Sequence, residues 1–327
     1  MPILRSKPSE KLDRAKSWQY KELTNMTTIE YDRSIEMAPT LVEERIANAL
    51  TVDVEEYFQV SAFDSLIDRS NWGNFPSRVE SRTDLILSMF DEAKVKGTFF
   101  TLGCVAERFP NLIRRICDQG HELASHGWEH TRLTFMTPTQ FREDVRRTKT
   151  VLEDISGTEI KGYRAPSYSI DRHNNWAHDI LADTGHLYSS SVAPINHDLY
   201  GIPDAPRFPH RRGTAQLLEI PISTVAMGAR NWPCGGGGWF RLYPYWLFSR
   251  AFKRINKVDE RPGVFYIHPW ELDPDQPRQD GLDHKTAFRH YQNLGKTESR
   301  MRRLLTDFRW QRMDETFVVE NKQLKLN

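Results

Sequence analysis

Three carboxylates stand at the end of a strand whose composition predicts burial. In the stretch TVDVEEYF, Val52 and Val54 flank Asp53, and this pattern predicts a β-strand. Carboxylates are almost never buried unless they are paired or bind a metal ion. Asp53, Glu55 and Glu56 therefore either reach solvent where the strand ends or hold a cation.

Two histidines in SHGWEH have a spacing that suits metal binding. His126 and His130 are four residues apart, which brings both imidazoles to one side of a helix or a tight turn. Neutral imidazole is the commonest ligand of zinc and similar ions. The pair alone is weak evidence, because a chain with 11 histidines contains such a spacing by chance about one time in three. Ordinary surface histidines therefore remain an alternative.

Four predicted strands each end near a titratable residue. Asp53 ends the first, His126 follows the strand HELAS, Arg164 ends a strand in GYRAPSY, and His268 ends VFYIH. The carboxyl ends of parallel strands meet on one rim, so these side chains are expected to converge. Taken alone, Arg164 is compatible with a surface ion-pair residue, and His268 is compatible with a structural histidine. Two histidines and one carboxylate form a catalytic metal set that leaves a position open for water.

Strands and helices alternate through most of the chain. The pattern predicts a helix near 82–95 with Ser81 as its N-cap. The clearest helix follows Thr137, which forms a capping box with Gln140, and it ends at Gly157. This βαβα order implies a parallel sheet, either open or closed into a barrel.

The chain is predicted to consist of a short extension and one larger domain. Residues 1–45 are polar and mixed in charge, and they are expected to form an N-terminal extension. Residues 46–327 are expected to form the main domain, with an elaboration at about 195–327. The Gly- and Pro-rich part of that region, 195–262, is interpreted as a cover over one face and not as a separate domain.

Composition excludes some functions and suggests a compartment. The chain carries 45 Lys and Arg against 44 Asp and Glu, and this balance argues against a protein that binds nucleic acid or an anionic membrane through its bulk charge. Its three cysteines, Cys104, Cys117 and Cys234, lack CxxC spacing and favour a reducing compartment. The sequence shows neither a run of roughly 20 apolar residues nor a secretory signal, so the expectation is a cytoplasmic protein.

Four segments together resemble the ordered motifs of a known enzyme family. TVDVEEYF, GHELASHGWEHTRLT, GYRAPSYSI and YIHPWELDPDQPR are similar to motifs of the polysaccharide deacetylases, carbohydrate esterase family 4, which share the nodulation-type chitooligosaccharide deacetylase domain. The resemblance spans about residues 46–310. The segments GGGGWFRLYPYW and RHYQNLGKTESRMRRLLTDF further resemble deacetylases encoded with exosortase-linked exopolysaccharide loci. The family implies an α/β fold, a distorted (β/α) barrel with fewer than eight repeats, here with a C-terminal elaboration.

The resemblance also implies roles for individual residues. Asp53 matches the general base, Arg164 the arginine that orients this base, and His268 the general acid. His126 and His130 match the two metal-binding histidines. The implied cofactor is a divalent metal ion, with zinc expected and cobalt or nickel as alternatives.

The first motif departs from the family pattern. The family usually has adjacent aspartates, whereas here Val54 separates Asp53 from the next carboxylate, Glu55. The alternation of a strand keeps Glu55 on the same face as Asp53, so Glu55 is expected to be the third metal ligand. Glu56 remains open as an alternative.

Two further departures concern the substrate and the acid. Ser167 stands where the family often has Tyr, and its backbone N–H is expected to serve as an oxyanion donor. Ser189 stands where related sequences have Asp, so the group that orients His268 is left open. In CGGGGWFRLYPYW, Trp239 and Tyr243 are expected to bind substrate by stacking on sugar rings, although packing within the elaboration is the alternative.

The resemblance implies a polysaccharide N-deacetylase, a hydrolase of carbon–nitrogen bonds other than peptide bonds. Its substrate would be the N-acetylhexosamine units of a polysaccharide or its precursor, in exopolysaccharide biosynthesis. The expected partners are an N-acetylated glycan and, by association, membrane-bound polysaccharide synthesis machinery, without nucleic acid. Two alternatives remain: a hydrolase of a small or cyclic amide, and a catalytically inactive carbohydrate-binding relative, which Ser189 favours.

Overall fold

The computed structural model describes residues 46–198 and 200–319, and in this part of the chain nine strands form one sheet. The predicted extension, residues 1–45, lies outside the described residues. The strands are β1 (Ala47–Val54), β2 (Thr98–Thr101), β3 (Glu122–Ser125), β4 (Gly162–Tyr163), β5 (Tyr188–Ser189), β6 (His210–Arg212), β7 (Leu217–Glu219), β8 (Thr224–Met227), β9 (Arg230–Pro233), β10 (Val264–Ile267) and β11 (Arg309–Gln311).

The main sheet is almost entirely parallel. Its order is β10–β1–β2–β3–β4–β5–β7–β6, β11 pairs with the start of β1, and every neighbouring pair is parallel except β6–β7. Strands β8 and β9 form a separate antiparallel hairpin. Because β1, β3, β4 and β10 run in the same direction, their carboxyl ends lie on one rim.

Nine α-helices connect and cover these strands in the part of the chain that is described. They are α1 (Val79–Glu92), α2 (Gly103–Arg108), α3 (Pro110–Asp118), α4 (Pro138–Ser156), α5 (Trp176–Asp183), α6 (Gly237–Leu242), α7 (Tyr245–Lys257), α8 (His284–Tyr291) and α9 (Leu294–Asp307). A short 3₁₀ turn, Pro269–Leu272, follows β10, and a π-helical segment, Asp314–Val319, follows β11.

Strand alternation separates two apolar clusters. Leu50, Val52 and Val54 point to the helical side, into a cluster shared with α1, α3, α7 and α9. The opposite face of the sheet holds an inner cluster, to which β1, β2, β3, β5, β7 and β10 contribute Ala49, Phe100, Ala124, Tyr188, Leu218, Val264 and Tyr266. Since six strands pack on one inner cluster, the sheet curves around it like a barrel wall.

The barrel is closed by irregular chain between its last strands. In the described residues β6 and β10 are the two ends of the sheet and do not pair with each other. Gly236 instead forms an isolated parallel bridge to Tyr266 of β10, and Ile222 N–H donates to the carbonyl oxygen of Val192 at 3.1 Å. The predicted α/β architecture, a distorted barrel with fewer than eight repeats, is confirmed.

Two helix starts show the range of the local predictions. The prediction for α4 is confirmed: Thr137 and Gln140 form the capping box, and Gly157 ends the helix in a left-handed conformation. The prediction for α1 is wrong by three residues, since the helix starts at Val79 and Ser81 lies inside it. Its first amides are capped by a distant side chain, that of Glu56, which a local pattern cannot show.

The region predicted as an elaboration both extends the sheet and covers it. Strands β6 and β7 continue the main sheet, whereas the β8–β9 hairpin and α7 lie outside it and pack together. The boundary of a catalytic domain at residue 46 stays a prediction. Between residues 46 and 319, omitting 199, the helices fall short of the length and apolar character that crossing a bilayer requires.

Candidate active site

Six of the side chains predicted to do chemistry line one pocket at the carboxyl rim of the barrel. The pocket has a volume of about 430 Å³, and it will be called the active-site pocket. Its lining includes Asp53, Glu55, His126, His130, Ser167 and His268. Arg164 lies beneath it, fully buried and bonded to Asp53.

Glu55, His126 and His130 form a group that fits a metal ion. One donor atom from each residue lies within 4.8 Å of the others, and all three residues are buried. Glu55 Oε2 is 2.9 Å from His130 Nε2 and 3.9 Å from His126 Nε2. His126 Nδ1 lies 2.8 Å from the carbonyl oxygen of Arg164 and must donate to it, which leaves the Nε2 lone pair for a cation. The donor set of two imidazoles and one carboxylate is that of catalytic zinc sites.

The two histidines are brought together by a tight turn and not by a helix. Gly127 has φ +77°, and His130 itself has φ +54°. The turn is fastened by Asp144 of α4, whose two carboxylate oxygens accept the Trp128 N–H at 3.2 and 3.1 Å. Burial raises the pKa of Asp144 to about 6. This role of Asp144 is not visible in the sequence, because nothing in the pattern of α4 distinguishes it from the other acidic residues of that helix.

The alternative ligand, Glu56, points away from the pocket. Its carboxylate accepts the backbone N–H groups of Arg78 and Val79 at 3.0 and 3.2 Å and the hydroxyl of Ser77. Burial raises the pKa of Glu56. Because this carboxylate caps α1, Glu55 is the carboxylate that faces the histidines, as strand alternation predicted.

Asp53 is held by a buried arginine. Arg164 Nη1 donates to Asp53 Oδ1 at 2.6 Å and to the hydroxyl oxygen of Thr51 at 2.8 Å. Arg164 Nη2 donates to Ser190 Oγ at 3.1 Å, and the guanidinium carbon lies 4.1 Å from the centre of the Phe100 ring. These contacts fix the guanidinium group. It in turn orients Asp53 through Oδ1 and makes no hydrogen bond to Oδ2.

The partner of His268 is Glu271, which the sequence alone does not reveal. Its Nε2 lies 3.6 Å from Glu55 Oε1 and 3.9 Å from Asp53 Oδ2, while its Nδ1 lies 3.0 Å from Glu271 Oε2. Burial lowers the pKa of His268, but Glu55, Glu271 and Asp53 outweigh this effect and raise it to about 9. The available signal was the spacing of His268 and Glu271, which form a capping box over the 3₁₀ turn.

Glu271 is in turn anchored by the glycine-rich segment. Its Oε1 accepts Arg241 Nε–H at 2.8 Å, and Arg241 is buried and also donates to the carbonyl oxygen of His290. A Cβ added at Gly237 would overlap the Glu271 carboxylate, and one at Gly236 would lie 2.6 Å from the Tyr266 ring. The glycines thus permit close approach of the chain to β10 and to Glu271.

Of the three predicted substrate-binding residues, one lines the active-site pocket and two do not. Ser167 lines the pocket with φ +53°, and its hydroxyl donates to Ser61 Oγ at 2.8 Å. Trp239 and Tyr243 are not among the described residues that line the pocket. Tyr243 packs against the helical-side cluster, and the two rings lie 5.6 Å apart. Stacking of these two rings on sugars stays a prediction without support from the pocket.

Two family models match consecutive segments of the chain. Residues 65–188 match the model of the polysaccharide deacetylase family, and this match contains His126, His130 and Arg164. This match confirms the resemblance to the polysaccharide deacetylases. Residues 190–318 match a domain of unknown function (DUF3473), which contains His268 and Glu271. The second match therefore supplies the last strands of the barrel and one side of the active-site pocket.

Individual relatives agree with this assignment. The chain is 33% identical over 96 residues to a peptidoglycan-N-acetylglucosamine deacetylase of Bacillus cereus, covering 29% of this chain and 35% of that one. It is 27% identical over 144 residues to a chitooligosaccharide deacetylase of Bradyrhizobium, covering 44% of this chain and 60% of the other. The matched part thus spans about a third of the length of the first relative.

A solved structure shares the fold. It belongs to a Mycobacterium smegmatis protein described as a polysaccharide deacetylase, and it aligns with a TM-score of 0.53 at 20% identity. The alignment covers 82% of this chain and 86% of that one. At this identity the likeness supports the barrel architecture and nothing further.

Proposed function

We propose that this chain is a metal-dependent hydrolase that removes N-acetyl groups from N-acetylhexosamine units of a glycan. The observation that carries the proposal is the meeting of the Glu55, His126 and His130 group with the Asp53–Arg164 pair and His268 in one pocket. Zinc is the proposed metal, because two imidazoles and a carboxylate suit it. The match of residues 65–188 to the polysaccharide deacetylase model and the names of the two curated relatives support the same reaction.

The metal would supply the activation that an unactivated amide requires. A divalent cation held by Glu55, His126 and His130 would polarise the acetyl carbonyl and lower the pKa of a water molecule. The proposed base is Asp53. Arg164 binds only Oδ1 of Asp53, and this leaves Oδ2 to accept the proton of the attacking water.

His268 is the proposed acid for the departing nitrogen. Its Nε2 lies 3.9 Å from Asp53 Oδ2, so base and acid lie on neighbouring sides of the pocket. Glu271 accepts the Nδ1 proton and fixes the ring orientation, which leaves Nε2 as the nitrogen that faces the substrate. Glu271 thus takes the place of the aspartate that Ser189 replaces, and this supports an active enzyme over an inactive relative.

The pocket suits a sugar ring better than a long apolar ligand. Aromatic rings of Tyr200, Tyr266 and Trp270 line it together with hydroxyl and charged groups. Its volume of about 430 Å³ falls within the range of small-ligand sites. The two curated relatives are named as deacetylases of peptidoglycan N-acetylglucosamine and of chitooligosaccharides, and we extend this class of N-acetylated glycans to the present chain.

The biological setting is a further part of the proposal. The resemblance of GGGGWFRLYPYW to exopolysaccharide-locus deacetylases supports a role in exopolysaccharide biosynthesis, together with membrane-bound synthesis machinery. The proposed compartment is the cytoplasm, because the three cysteines are free and lack the spacing of a disulfide framework.

Acetate release from defined glycans tests the proposed reaction. The protein is loaded with zinc, cobalt or nickel and incubated with N-acetylglucosamine oligomers, peptidoglycan fragments and a panel of cyclic imides. Acetate and free amines in equal amounts are expected from the glycans, and Asp53→Asn and His268→Ala are expected to abolish this release. Faster opening of the imides would favour the small-amide hydrolase. Glycan binding without acetate under every metal would favour a carbohydrate-binding protein.

A further inference from the structure

A second, larger concavity lies outside the active-site pocket. It has a volume of about 1000 Å³ and runs between the β8–β9 hairpin and α7, and it will be called the basic groove. It shares no lining residue with the active-site pocket. It lies in the part of the chain that matches the domain of unknown function, so the proposed deacetylation leaves it unexplained.

The groove is surrounded by large apolar side chains that face solvent. Trp246 at the start of α7 is 67% exposed, Met227 at the tip of the hairpin is 57% exposed, and Val258 just after α7 is 60% exposed. Leu247 also lines the groove and is 40% exposed. A contiguous group of such residues on one face marks a docking surface, whereas single exposed apolar residues are ordinary.

The same face carries positive charge without compensation. The α7 sequence YWLFSRAFKRINK contains Arg250, Lys253, Arg254 and Lys257, all of which line the groove, and no acidic residue. Within residues 46–198 and 200–319 no carboxylate lies within ion-pair distance of these four cations. The groove's Asp307 lies instead 3.6 Å from Arg303, so that pair adds no net charge.

The helix α7 is therefore amphipathic in an unusual way. One side is buried through Phe248, Phe252 and Ile255, which pack into the protein. The solvent side of an ordinary surface helix is polar, yet here Trp246 and Leu247 are exposed in the first turn and the four cations follow in the later turns. Helices with this combination of basic and bulky apolar residues lie in membrane interfaces.

We propose that the basic groove and its apolar rim dock on an anionic lipid membrane. Lys and Arg near a bilayer are attracted to its negative surface, and their long stems allow apolar neighbours to enter the headgroup region. Trp is favoured at that depth. Met227 and Val258 offer nothing to a polyanionic glycan or nucleic acid, which bind through charge, hydrogen bonds and aromatic stacking, so a lipid surface fits the whole set better.

The net charge of +1 is compatible with this surface, because the attraction comes from one local group of cations and not from the whole chain. The proposal does not depend on the proposed deacetylation. No groove residue lies in the active-site pocket, so turnover of a soluble substrate can be read separately.

Vesicle co-sedimentation tests the docking with the full chain. The vesicles are phosphatidylcholine alone, or phosphatidylcholine with phosphatidylglycerol, each at low and high salt. Strong binding is expected only to the anionic vesicles, and it should weaken at high salt. The double variant Arg250→Glu with Arg254→Glu should lower this partitioning by at least about 25-fold, or about fivefold for each cation.

Two further variants separate charge from insertion. Trp246→Ala with Leu247→Ala keeps the charge and should still lower partitioning, by roughly tenfold, because apolar insertion is lost. Arg114→Glu with Arg146→Glu makes the same charge change on exposed positions of α3 and α4 and should bind like the wild type. Acetate release from a soluble oligomer should be unchanged in all three.

Several results would overturn the proposal. If the wild type bound neutral and anionic vesicles equally, charge would not drive the docking. If Arg114→Glu with Arg146→Glu lowered binding as much as Arg250→Glu with Arg254→Glu, the effect would come from net charge and not from the groove. Unchanged binding of the Trp246 and Leu247 variant would mean simple polyanion binding. Absence of vesicle binding, together with a dimer that the same variant abolishes in size-exclusion chromatography with light scattering, would assign the face to a second copy of this chain.

Discussion

The imidazole of His268 is held from within its own turn, with Nδ1 3.0 Å from Oε2 of Glu271. The same carboxylate oxygen accepts the backbone N–H of His268 at 3.0 Å, so one oxygen fixes both the ring and the main chain. The resemblance led to the expectation of a partner at the position of Ser189, on another strand. The partner is instead Glu271, three residues after the histidine, in the 3₁₀ turn that follows β10.

Replacing Glu271 should impair turnover more than substrate binding. In Glu271→Gln the ring of His268 loses its charged acceptor, so kcat is expected to fall roughly 10- to 100-fold while KM changes little. Arg241 also loses its buried counter-charge, which should lower the free energy of unfolding by about 3 kcal/mol. Steady-state kinetics well below the melting temperature and metal content by mass spectrometry provide the readout.

The matched control for this variant is Glu298→Gln on α9, whose half-exposed carboxylate forms an ion pair with Arg302. It should keep wild-type kinetics. If Glu271→Gln is folded, carries its metal and retains full kcat, then Glu271 does not position the acid.

Two adjacent glycines should respond oppositely to the same substitution. A Cβ at Gly237 would overlap the Glu271 carboxylate, whereas a Cβ at Gly238 would meet open space. Gly237→Ala is therefore expected to cost about 1–3 kcal/mol and to lower kcat by displacing Glu271. Gly238→Ala lies in α6 and should be neutral or stabilising by up to about 1 kcal/mol. Urea denaturation with acetate assays compares them, and equal effects would contradict a fixed, closely packed segment.

The fold was predictable wherever its signal was local. The alternation of β1 and the capping box of Thr137 and Gln140 depend on residues adjacent in sequence, and both predictions held. The start of α1 was missed because its amides are capped by Glu56, which lies 22 residues before Arg78. Local helix propensity favours Ser81 as the cap, whereas the actual cap is a carboxylate from the segment just after β1, which only the fold brings to α1.

The site was predictable to the extent that it lies on strand ends. The convergence of Asp53, Glu55 and His268 follows from parallel strands sharing one rim. The role of Asp144 was hidden, because it reaches the histidine turn from inside α4. The glycine run was compatible with mobility or close approach, and only the position of Glu271 against Gly237 decides between them.

Substitutions of the two adjacent glutamates that follow β1 should affect different properties, one the affinity for metal and the other the stability of the fold. Glu55→Gln weakens the proposed donor set and is expected to lower zinc affinity at least about tenfold without a large change in stability. Glu56→Gln should keep the affinity but lower the free energy of unfolding by roughly 1–2 kcal/mol, since it weakens the cap of α1. Competition with a zinc chelator and thermal unfolding of the metal-free protein measure the two effects. Stoichiometric, tight zinc in Glu55→Gln would exclude Glu55 as a ligand.

The half-buried carboxyl of Asp144 should make stability depend on pH in a defined direction. Burial raises the pKa of Asp144 from 3.8 to about 6, so the folded state keeps a proton that the unfolded chain releases between these values. Stability from this group is therefore full below pH 3.8 and is lost as the pH rises to about 6, with little change above. The loss is at most about 3 kcal/mol, from roughly 1.4 kcal/mol per pH unit.

The amide side chain in Asp144→Asn does not titrate. The free energy of unfolding of the wild type minus that of this variant should therefore fall between pH 3.8 and about pH 6. Urea denaturation of the metal-free proteins from pH 4 to 7 measures this difference, in which groups common to both proteins cancel. Asp154→Asn, on the exposed face of the same helix, is the control and should give a flat difference. A flat difference for Asp144→Asn as well would show that its carboxyl is not strained by burial. Looser zinc binding in Asp144→Asn is also expected, because Asp144 fastens the turn between His126 and His130 through the Trp128 N–H.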